Sequence, residues 1–392
     1  MLPEVRMARI VEAVTRYRSG VIGCREAAEC LGMSERHFRR LRDRYEAEGA
    51  EGIADKRLGR ASARRAPVDE VAWVVEMFRT RHFDFTAKHF HEVMVRDHGL
   101  TRGYTWTKTT LQRAGVVRRA ARRGAHRKKR ERRPLEGMLL FQDGSTHRWL
   151  SGEGAVDLDL VATMDDATGQ VYSAFLVEEE GTASSFRGLL EVIGGRGLFS
   201  AFYTDRGSHY FHTPKAGGRV DKTHPTQVGR ALQQLGITHI ASYSPEARGR
   251  MERLFGTLQG RLPQELRLAG ITTMEAANRW LAEVFLPRFN ARFAVRAAEP
   301  GSAFMAYVGR PLEDILCIQE ERQVGRDNTV RYNGQVLQIP EQTHRHHYVK
   351  ATVRVHAYPD ATLAIFHGPQ RLARYQADGS LQDADADSRS AA

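Results

Sequence analysis

The chain has 392 residues, of which 41% are hydrophobic and 27% are charged, with a formal net charge of +12 at pH 7. This length exceeds one ordinary hydrophobic core, so about two to four domains are expected. No apolar stretch approaches the roughly 18 residues of a membrane span, and no signal-peptide core is recognisable, which argues against a membrane or secreted protein. Three unclustered cysteines (Cys24, Cys30 and Cys317) favour a reducing cytoplasm.

The positive charge lies almost wholly in the N-terminal third. Residues 1–140 contain 32 Lys and Arg against 18 Asp and Glu, a net +14, whereas the remainder contains 27 against 29, a net −2. A basic region followed by a neutral one favours an arm that binds a polyanion, attached to a separate catalytic body. Ribosome binding would use the same charge, but it would leave the acidic residues described below without a role.

Residues 1–50 are predicted to form a helix-turn-helix unit. The small pair Ala27-Ala28, a turn at Gly32 and a second helix capped by Ser34 follow one another at suitable spacing. An ordinary helical hairpin with solvated arginines is the alternative. The coincidence of the glycine turn with a high arginine density favours insertion of the second helix into the major groove of DNA, through Arg36, Arg39, Arg40, Arg42 and Arg44.

A second helix-turn-helix unit is predicted at residues 68–117, between two basic linkers at 51–67 and 118–134. Its recognition helix is expected near residues 105–111. Ten of the sixteen residues at 118–133 are Lys or Arg, and such a run is expected to be solvated or to lie along phosphates rather than to pack. The DNA contacts expected in these segments are Arg57, Arg60, Arg64, Arg65, Lys108, Arg118, Arg119, Arg122, Arg123, Arg127, Lys128, Lys129 and Arg130.

From residue 135 the pattern changes to alternating strands and helices. Three strands in a meander, followed by helix, strand, helix, strand and helix, predict a central α/β catalytic core of the ribonuclease H-like type at residues 135–300, with trailing helices. The predicted elements are strands at 137–143, 156–164 and 171–177, a helix at 184–193, a strand ending at 205, a helix at 225–235, a strand at 238–241, and a helix that carries residue 252.

The C-terminal part is predicted to be β-rich. Short, closely spaced strands at residues 315–376 favour a small β-barrel. Residues 377–392 are small and acidic and are expected to be a disordered tail.

Three acidic residues are candidates for catalysis. Asp143 ends the apolar run at 139–143, Asp205 ends the run at 201–205, and Glu252 lies on a predicted helix beside its apolar stripe. Carboxylates at two strand ends and on one helix can converge and hold a pair of hard divalent cations. Glu246 is the rival for the third position, although an acidic residue at a helix start is favoured by the helix dipole alone.

The remaining acidic and histidine residues are given ordinary roles. The acidic residues are expected to be solvated in a strand pair, its turn and the segment after the third strand: Asp157, Asp159, Asp165, Asp166, Glu178, Glu179 and Glu180. The histidines have no cysteine partner nearby and are expected to be surface or core residues rather than zinc ligands: His82, His89, His91 and His98.

The sequence resembles the Asp-Asp-Glu insertion-sequence transposases with a retroviral-type integrase catalytic core, in particular the ISNCY-like group. The resemblance covers nearly the whole chain, and three motifs in order carry it: Phe141-Gln142-Asp143-Gly144-Ser145, Thr204-Asp205-Arg206-Gly207-Ser208 and Gly249-Arg250-Met251-Glu252-Arg253. Each motif alone is weak, but three in the right order with the right predicted elements are specific.

The chain departs from the family pattern in two places. The second and third acids are separated by 46 residues, 206 to 251, which is more than is usual, and the surplus is assigned to a loop at 209–226. Many relatives also place a lysine two turns beyond the glutamate to touch the DNA end. This chain has Gln259 there, so the contact is expected to be neutral or to be made by Arg253 or Arg261.

The resemblance implies a DNA transposase that binds the terminal inverted repeats of an insertion sequence, cleaves them by Mg²⁺-dependent hydrolysis and joins the 3′-hydroxyl ends to target DNA by transesterification. Asp143, Asp205 and Glu252 would hold two Mg²⁺ ions, with Asp143 between them, and Mn²⁺ could substitute. The partners would be duplex DNA and further copies of the chain, as a dimer or higher oligomer at the bacterial nucleoid.

Two other functions remain open at this point. A non-catalytic DNA-binding regulator would use the same helix-turn-helix units and would make the acidic trio incidental. A nuclease of the same fold could act on RNA–DNA hybrids or junctions, although paired helix-turn-helix units suit duplex DNA better.

Overall fold

The computed structural model describes residues 3–54, 65–119, 131–152, 154–215, 218–221, 223–243, 245–342 and 345–382. The chain divides into two compact units, Met1–Val74 and Val75–Ala392. Within the described ranges, none of the helices combines the length and apolar character that crossing a bilayer would require.

Four helices form the N-terminal unit. They are α1 (Pro3–Arg18), α2 (Cys24–Cys30), α3 (Glu35–Glu48) and α4 (Ala50–Ile53). The turn between α2 and α3 places Gly32 at φ +65°, a left-handed conformation that glycine adopts without steric cost. Ser34 caps α3, because its side chain accepts a hydrogen bond from the backbone N–H of His37. The predicted turn and cap are therefore confirmed, and the unit encloses its own apolar core of Ile10, Ala13, Val14, Ala27, Ala28, Phe38, Leu41 and Ile53.

Three further helices follow in the region predicted as the second helix-turn-helix unit. They are α5 (Val68–Arg81), α6 (Ala87–His98) and α7 (Tyr104–Arg113). Thr86 caps α6 by accepting from the N–H of His89, and α6 ends at Gly99 in the left-handed conformation. Helices α6 and α7 pack against each other.

A five-stranded mixed sheet forms the centre of the second unit. Its strands are β1 (Leu140–His147), β2 (Leu158–Asp165), β3 (Val171–Val177), β4 (Ala201–Thr204) and β5 (Thr238–Ala241), in the order β3-β2-β1-β4-β5. Strands β1, β2 and β3 are antiparallel neighbours, whereas β1, β4 and β5 run parallel. The predicted succession of strands and helices is confirmed, and β3 and β5 have the predicted bounds.

One strand boundary differs from the prediction in a way that matters for the site. Strand β1 does not end at Asp143 but continues to His147, because it pairs with β2 along its whole length, from Leu140 opposite Asp165 to His147 opposite Leu158. Asp143 therefore lies in the middle of a strand, and of the two predicted strand ends only Asp205 follows one directly.

Helices cover both faces of this sheet. Helices α8 (Thr182–Arg196) and α9 (Gln227–Gln234) pack on one face, in an apolar core that includes Leu140 and Phe202. On the other face, in a core that includes Phe141, lie α10 (Pro245–Gln259), α11 (Leu262–Leu268), α12 (Met274–Trp280), a π-helical turn (Leu281–Phe285) and α13 (Leu286–Phe293).

The C-terminal region is β-rich, as predicted. It contains β6 (Ile318–Gln323), β7 (Thr329–Tyr332), β8 (Gln335–Gln338), β9 (Thr352–Ala357), β10 (Leu363–His367) and β11 (Gln370–Tyr375). These described strands pair as a four-stranded sheet, β11-β10-β9-β6, and a β7-β8 hairpin that share one core. The pairing does not close on itself, so the predicted barrel is not confirmed.

The predicted disordered tail is wrong at its start. Residues 377–382 form an ordered turn, in which Gln376 N–H donates to the carbonyl of Ser380, and Leu381 forms a bridge with Tyr375. The rest of the predicted tail, residues 383–392, lies outside the described residues.

Candidate active site

Asp143 lies on β1, and Asp205 directly follows the end of the neighbouring parallel strand β4. The register of β1 and β4 pairs Phe141 with Tyr203, and each aspartate stands two residues after its member of this pair. The rings of Phe141 and Tyr203 are 5.3 Å apart, centroid to centroid. Because side chains alternate between the faces of a sheet, the Asp143 carboxylate projects on the same face as the Phe141 ring.

Helix α10 covers this same face and carries the third candidate. Its apolar stripe, which includes Met251 and Leu254, packs in the core that contains Phe141. The helix is also tied to β1 beyond the aspartate, since Gln259 Nε2 donates to Ser145 Oγ over 3.1 Å. Glu252 follows Met251 and is exposed on the flank of the helix.

The three candidates are not gathered into one cluster. Among the described residues, no group of three His, Cys, Asp or Glu side chains converges closely enough to hold a metal ion. The side chain of Glu246, the rival ligand, lies outside the described residues.

The loop after Asp205 is held in a tight turn. Gly207 N–H donates to Asp205 Oδ1 over 2.8 Å, and Tyr210 N–H donates to the carbonyl of Gly207 over 2.9 Å. Arg206 Nη1 donates to the carbonyl of Gly218 over 2.8 Å. The carboxylate orientation is thereby linked to the geometry of the following turn, and Arg206 connects the turn to the segment predicted as a surplus loop.

A chain of buried polar groups lies on the face of the sheet opposite to Asp143 of β1. The Tyr210 hydroxyl donates to Gln142 Oε1 over 2.9 Å, and Gln142 Nε2 donates to Thr163 Oγ1 over 2.9 Å. Glu180 Oε1 lies 3.4 Å from the same hydroxyl and 3.5 Å from His209 Nε2. Burial, and then the negative charge of Glu180, raise the pKa of Tyr210 well above its usual value, so the hydroxyl remains a donor.

These residues were missed as functional candidates. Glu180, expected to be solvated, is half-buried against Gly144, where a side chain at position 144 would collide with its carboxylate. Its backbone N–H donates to Asp159 Oδ2 over 2.8 Å. The signal available in the sequence was Gln142, a polar residue inside an apolar run immediately before Asp143.

Asp165 and Asp166 were also expected to be solvated turn residues, and both are fully buried. Asp165 accepts from Gly137 N–H over 2.9 Å, and burial raises the pKa of its carboxyl. Asp166 accepts from Arg133 N–H over 2.7 Å and pairs with Arg250 of α10. The turn thus anchors both the end of the basic segment and the helix that carries the third candidate.

Four of the five predicted DNA contacts of α3 are exposed arginines, and the fifth, Arg42, is only partly exposed. Arg36, Arg39, Arg40 and Arg44 are exposed, although Arg39 pairs with Glu35 over 2.9 Å. Arg42 is turned towards α1, where it donates to the Tyr17 hydroxyl and lies over its ring. Its assignment to the major groove stays a prediction, with less of its side chain exposed than at the other four arginines.

The other predicted DNA contacts divide by whether the structure describes them. Arg65, Arg118 and Arg119 are exposed, and Lys108 is half-buried. The following lie outside the described residues: Arg57, Arg60, Arg64, Arg122, Arg123, Arg127, Lys128, Lys129 and Arg130. At the end of the basic run, Arg132 is exposed, and its Nη1 donates to the carbonyl of Asp166 over 2.9 Å.

The two arginines considered for the DNA-end contact have different surroundings. Arg253 is exposed on α10, where its Nε donates to the carbonyl of Gly249 over 2.8 Å. Arg261 is only 13% exposed and pairs with Glu92 over 2.8 Å. Arg261 is therefore occupied in joining α6 to the core, which leaves Arg253 as the candidate.

Helix α6 is joined to the core by a second ion pair as well. His89 Nε2 lies 2.9 Å and Arg96 Nη1 3.5 Å from the carboxylate of Glu265 on α11. Burial acts to raise the pKa of Glu265, but the hydrogen bond from His89 and the charge of Arg96 outweigh it and lower that pKa. A cavity of about 440 Å³ lies between α6, α11 and α13, walled by these residues and by phenylalanines of α13. The predicted second DNA-binding unit is thus docked on the core.

Comparisons with known proteins identify the family. The chain is 32% identical over 357 residues to y4bF of Sinorhizobium fredii (strain NBRC 101917 / NGR234), which is named as a transposase; the alignment covers 91% of this chain and 77% of the relative. This chain belongs to the insertion-sequence transposases. It is also 26% identical over 108 residues to the transposase for insertion sequence IS1202 of Streptococcus pneumoniae, which covers 28% of this chain and 23% of that protein.

The N-terminal part of this transposase matches the family described as "Helix-turn-helix domain" over residues 11–62. Two solved structures are similar at a lower level. The HTLV-2 integrase catalytic core domain in complex with magnesium is 16% identical, covering 38% of this chain and 86% of that chain with a TM-score of 0.28. A simian T-cell lymphotropic virus intasome in complex with PP2A regulatory subunit B56 gamma is 15% identical, covering 74% and 91% with a TM-score of 0.34.

Proposed function

We propose that this transposase binds the ends of its insertion sequence, cleaves them by Mg²⁺-dependent hydrolysis and joins the freed 3′-hydroxyl ends to target DNA. The observation that carries the proposal is the pairing of Phe141 with Tyr203 on parallel strands, two residues before Asp143 and Asp205, in a core shared with the helix that bears Glu252. Family membership supports the same class of reaction, a polynucleotidyl transfer.

The donor set fits a hard divalent cation. Asp143 and Asp205 offer carboxylate oxygens to one space, and Mg²⁺ prefers oxygen ligands, with several waters retained. Glu252 is proposed as the third ligand, with Glu246 as its rival. When bound, a pair of Mg²⁺ ions would supply an activated water or 3′-hydroxyl and stabilise the leaving oxygen at phosphorus. The turn at Gly207 holds the Asp205 carboxylate, because the Gly207 N–H donates to Asp205 Oδ1.

The DNA is proposed to be gripped by surfaces distinct from these carboxylates. Helix α3 presents Arg36 and Arg40 on one exposed side, which suits the major groove of a terminal repeat. The basic segment 118–130 is proposed to follow phosphates, and Arg253 is proposed to contact the DNA end near Glu252. Both ends of an element must be held together for transposition, so the active form is proposed to be an oligomer on DNA.

The test is a Mg²⁺-dependent cleavage and joining assay on a duplex that carries the element's end. Asp143→Asn, Asp205→Asn and Glu252→Gln should each abolish cleavage and joining, because an amide keeps the shape but loses the charge that holds a hard cation. Each variant should still bind DNA. Glu246→Gln is the matched control on the same helix and should retain activity.

The outcomes separate the candidate functions. Normal cleavage by Glu252→Gln together with inactivity of Glu246→Gln would show that Glu246, and not Glu252, is the third metal ligand. Normal cleavage by all four variants would exclude this site, and DNA binding without any cleavage by the unaltered chain would favour a non-catalytic regulator.

A further inference from the structure

A path of hydrogen bonds and covalent bonds leads from Asp205 to Asp143 through the protein. Asp205 Oδ1 accepts from Gly207 N–H, and the carbonyl of Gly207 accepts from Tyr210 N–H. The Tyr210 hydroxyl then crosses to β1 and donates to Gln142, which is bonded covalently to Asp143. This path therefore links the loop that carries the Asp205 carboxylate to the strand that carries the Asp143 carboxylate.

The crossing point is buried. Gln142 and Tyr210 are each 1% exposed, in a core whose neighbours include Leu140 and Phe202. A buried amide or hydroxyl costs free energy unless it is hydrogen-bonded, and a leucine at position 142 would fill such a core without that requirement. Both groups of the amide are satisfied, since its Nε2 donates to Thr163. Unlike an apolar pair, the hydrogen-bonded Tyr210 and Gln142 side chains fix the position of one segment relative to the other, because a hydrogen bond constrains both distance and angle.

We propose that Tyr210 and Gln142 are positioning residues that set the separation of Asp143 and Asp205, and through it the affinity of the site for divalent metal. The inference rests on the proposed function. Neither residue reaches the face on which the carboxylates project, since Gln142 alternates with Asp143 along β1. Their effect is therefore on the ligand spacing and not on the reacting atoms.

The experiment uses the full chain and compares Tyr210→Phe with the unaltered protein in two measurements. The first is the Mg²⁺ concentration that gives half-maximal cleavage of end DNA. The second, without DNA, is the rise in Tm caused by Mg²⁺ alone, since a ligand that binds only the folded state stabilises it. Loss of the hydroxyl should raise the half-maximal Mg²⁺ concentration roughly tenfold, as loss of a hydrogen-bonded support of metal ligands does elsewhere. It should also reduce the Mg²⁺-dependent rise in Tm.

Tyr375→Phe is the matched control. Tyr375 is also 1% exposed, and its hydroxyl donates to the carbonyl of Gln338 over 2.8 Å in the C-terminal sheet. The two variants remove the same atom from equally buried sites. Both should lower Tm in the absence of metal, but Tyr375→Phe should leave the Mg²⁺ requirement unchanged.

Gln142→Met provides a second route if Tyr210→Phe does not fold. It should raise the Mg²⁺ requirement by a similar factor, and combining it with Tyr210→Phe should add little, because both remove the hydrogen bond between Tyr210 and Gln142. An unchanged Mg²⁺ requirement in either folded variant, or failure of both variants to fold, would overturn the positioning role. If the unaltered chain neither cleaves nor gains stability from Mg²⁺, the proposed function itself fails.

Discussion

Helices α1–α4 and helix α6 belong to two regions for which similar sequence signals predict the same DNA-binding role, yet they are stabilised differently. The first region encloses an apolar core of its own, in which Phe38 is fully buried and meets Tyr17 edge to face at 5.5 Å. In the second, the buried His89 and the half-buried Glu92 find their ionic partners on α11 and α13 of the catalytic body, at Glu265 and Arg292.

The two regions differ in whether they can fold without the rest of the chain. An apolar core that is closed within one segment lets that segment fold alone, whereas a buried ion pair binds its two elements together, because removal of either partner leaves an uncompensated charge. Helix α6 is therefore part of the catalytic body. DNA contacts made by α6 or α7 would therefore stand at a fixed distance from the candidate active site.

The largest expected effect is a difference in cooperative folding between two isolated fragments of the chain, residues 1–67 and residues 68–119. Residues 1–67 should fold as a cooperative unit with a thermal transition in circular dichroism, because their core is complete. Residues 68–119 should show no cooperative transition, since His89 and Arg96 lose Glu265, and Glu92 loses Arg261 and Arg292. A cooperative transition in the second fragment would contradict its dependence on the core.

The next effect is on a single ion pair. Glu265→Ala should lower the free energy of unfolding of the full chain by about 3 kcal/mol, because it leaves the buried His89 and the guanidinium of Arg96 without their carboxylate. Urea unfolding measures the change. Glu35→Ala, which breaks the exposed pair with Arg39 in the N-terminal unit, is the control and should have little effect. If both variants lowered the free energy of unfolding equally, the proposed difference in how the two regions are stabilised would be contradicted.

A smaller effect concerns pH. His82 is 2% exposed, and burial, followed by the positive charges of His98 and Arg267, lowers its pKa from 6.5 to about 4. Between these values the unfolded chain binds a proton that the folded chain does not, so stability is complete above pH 6.5 and is lost as pH falls towards 4. The slope should be up to about 1.4 kcal/mol per pH unit. Denaturant unfolding across this range should show a flatter dependence for His82→Phe, and an unchanged slope would contradict the assignment.

The smallest effect concerns DNA affinity. Arg36→Ala and Arg40→Ala, on the exposed side of α3, should each weaken binding and reduce the slope of log affinity against log salt by about one, if each arginine neutralises a phosphate. Arg42→Ala serves as the comparison, since Arg42 contacts Tyr17, and its salt slope should stay unchanged. A change in slope for Arg42 alone would reverse the assignment of the DNA-facing side.

Several parts of this molecule followed from the sequence because local patterns decide them. The alternation of apolar residues determined β3 and β5, and the turn at Gly32 with its Ser34 cap determined the start of α3. The same patterns led to Asp143 and Asp205, and the strand register pairs the residues that stand two positions before them, Phe141 and Tyr203. Hydrophobic periodicity and turn chemistry act within a few residues, so the sequence contains them directly.

Only the tertiary structure decided which polar groups are buried and what they bind. Asp166 meets Arg250, Glu180 lies against Gly144, and Tyr210 donates to Gln142, in each case across a separation of more than 30 residues. Local pattern assigned these acids to solvent because charged residues in turns usually lie there. Whether an acidic residue is solvated depends on the partners that folding brings to it, and those partners are set by sheet order and helix packing rather than by neighbouring residues.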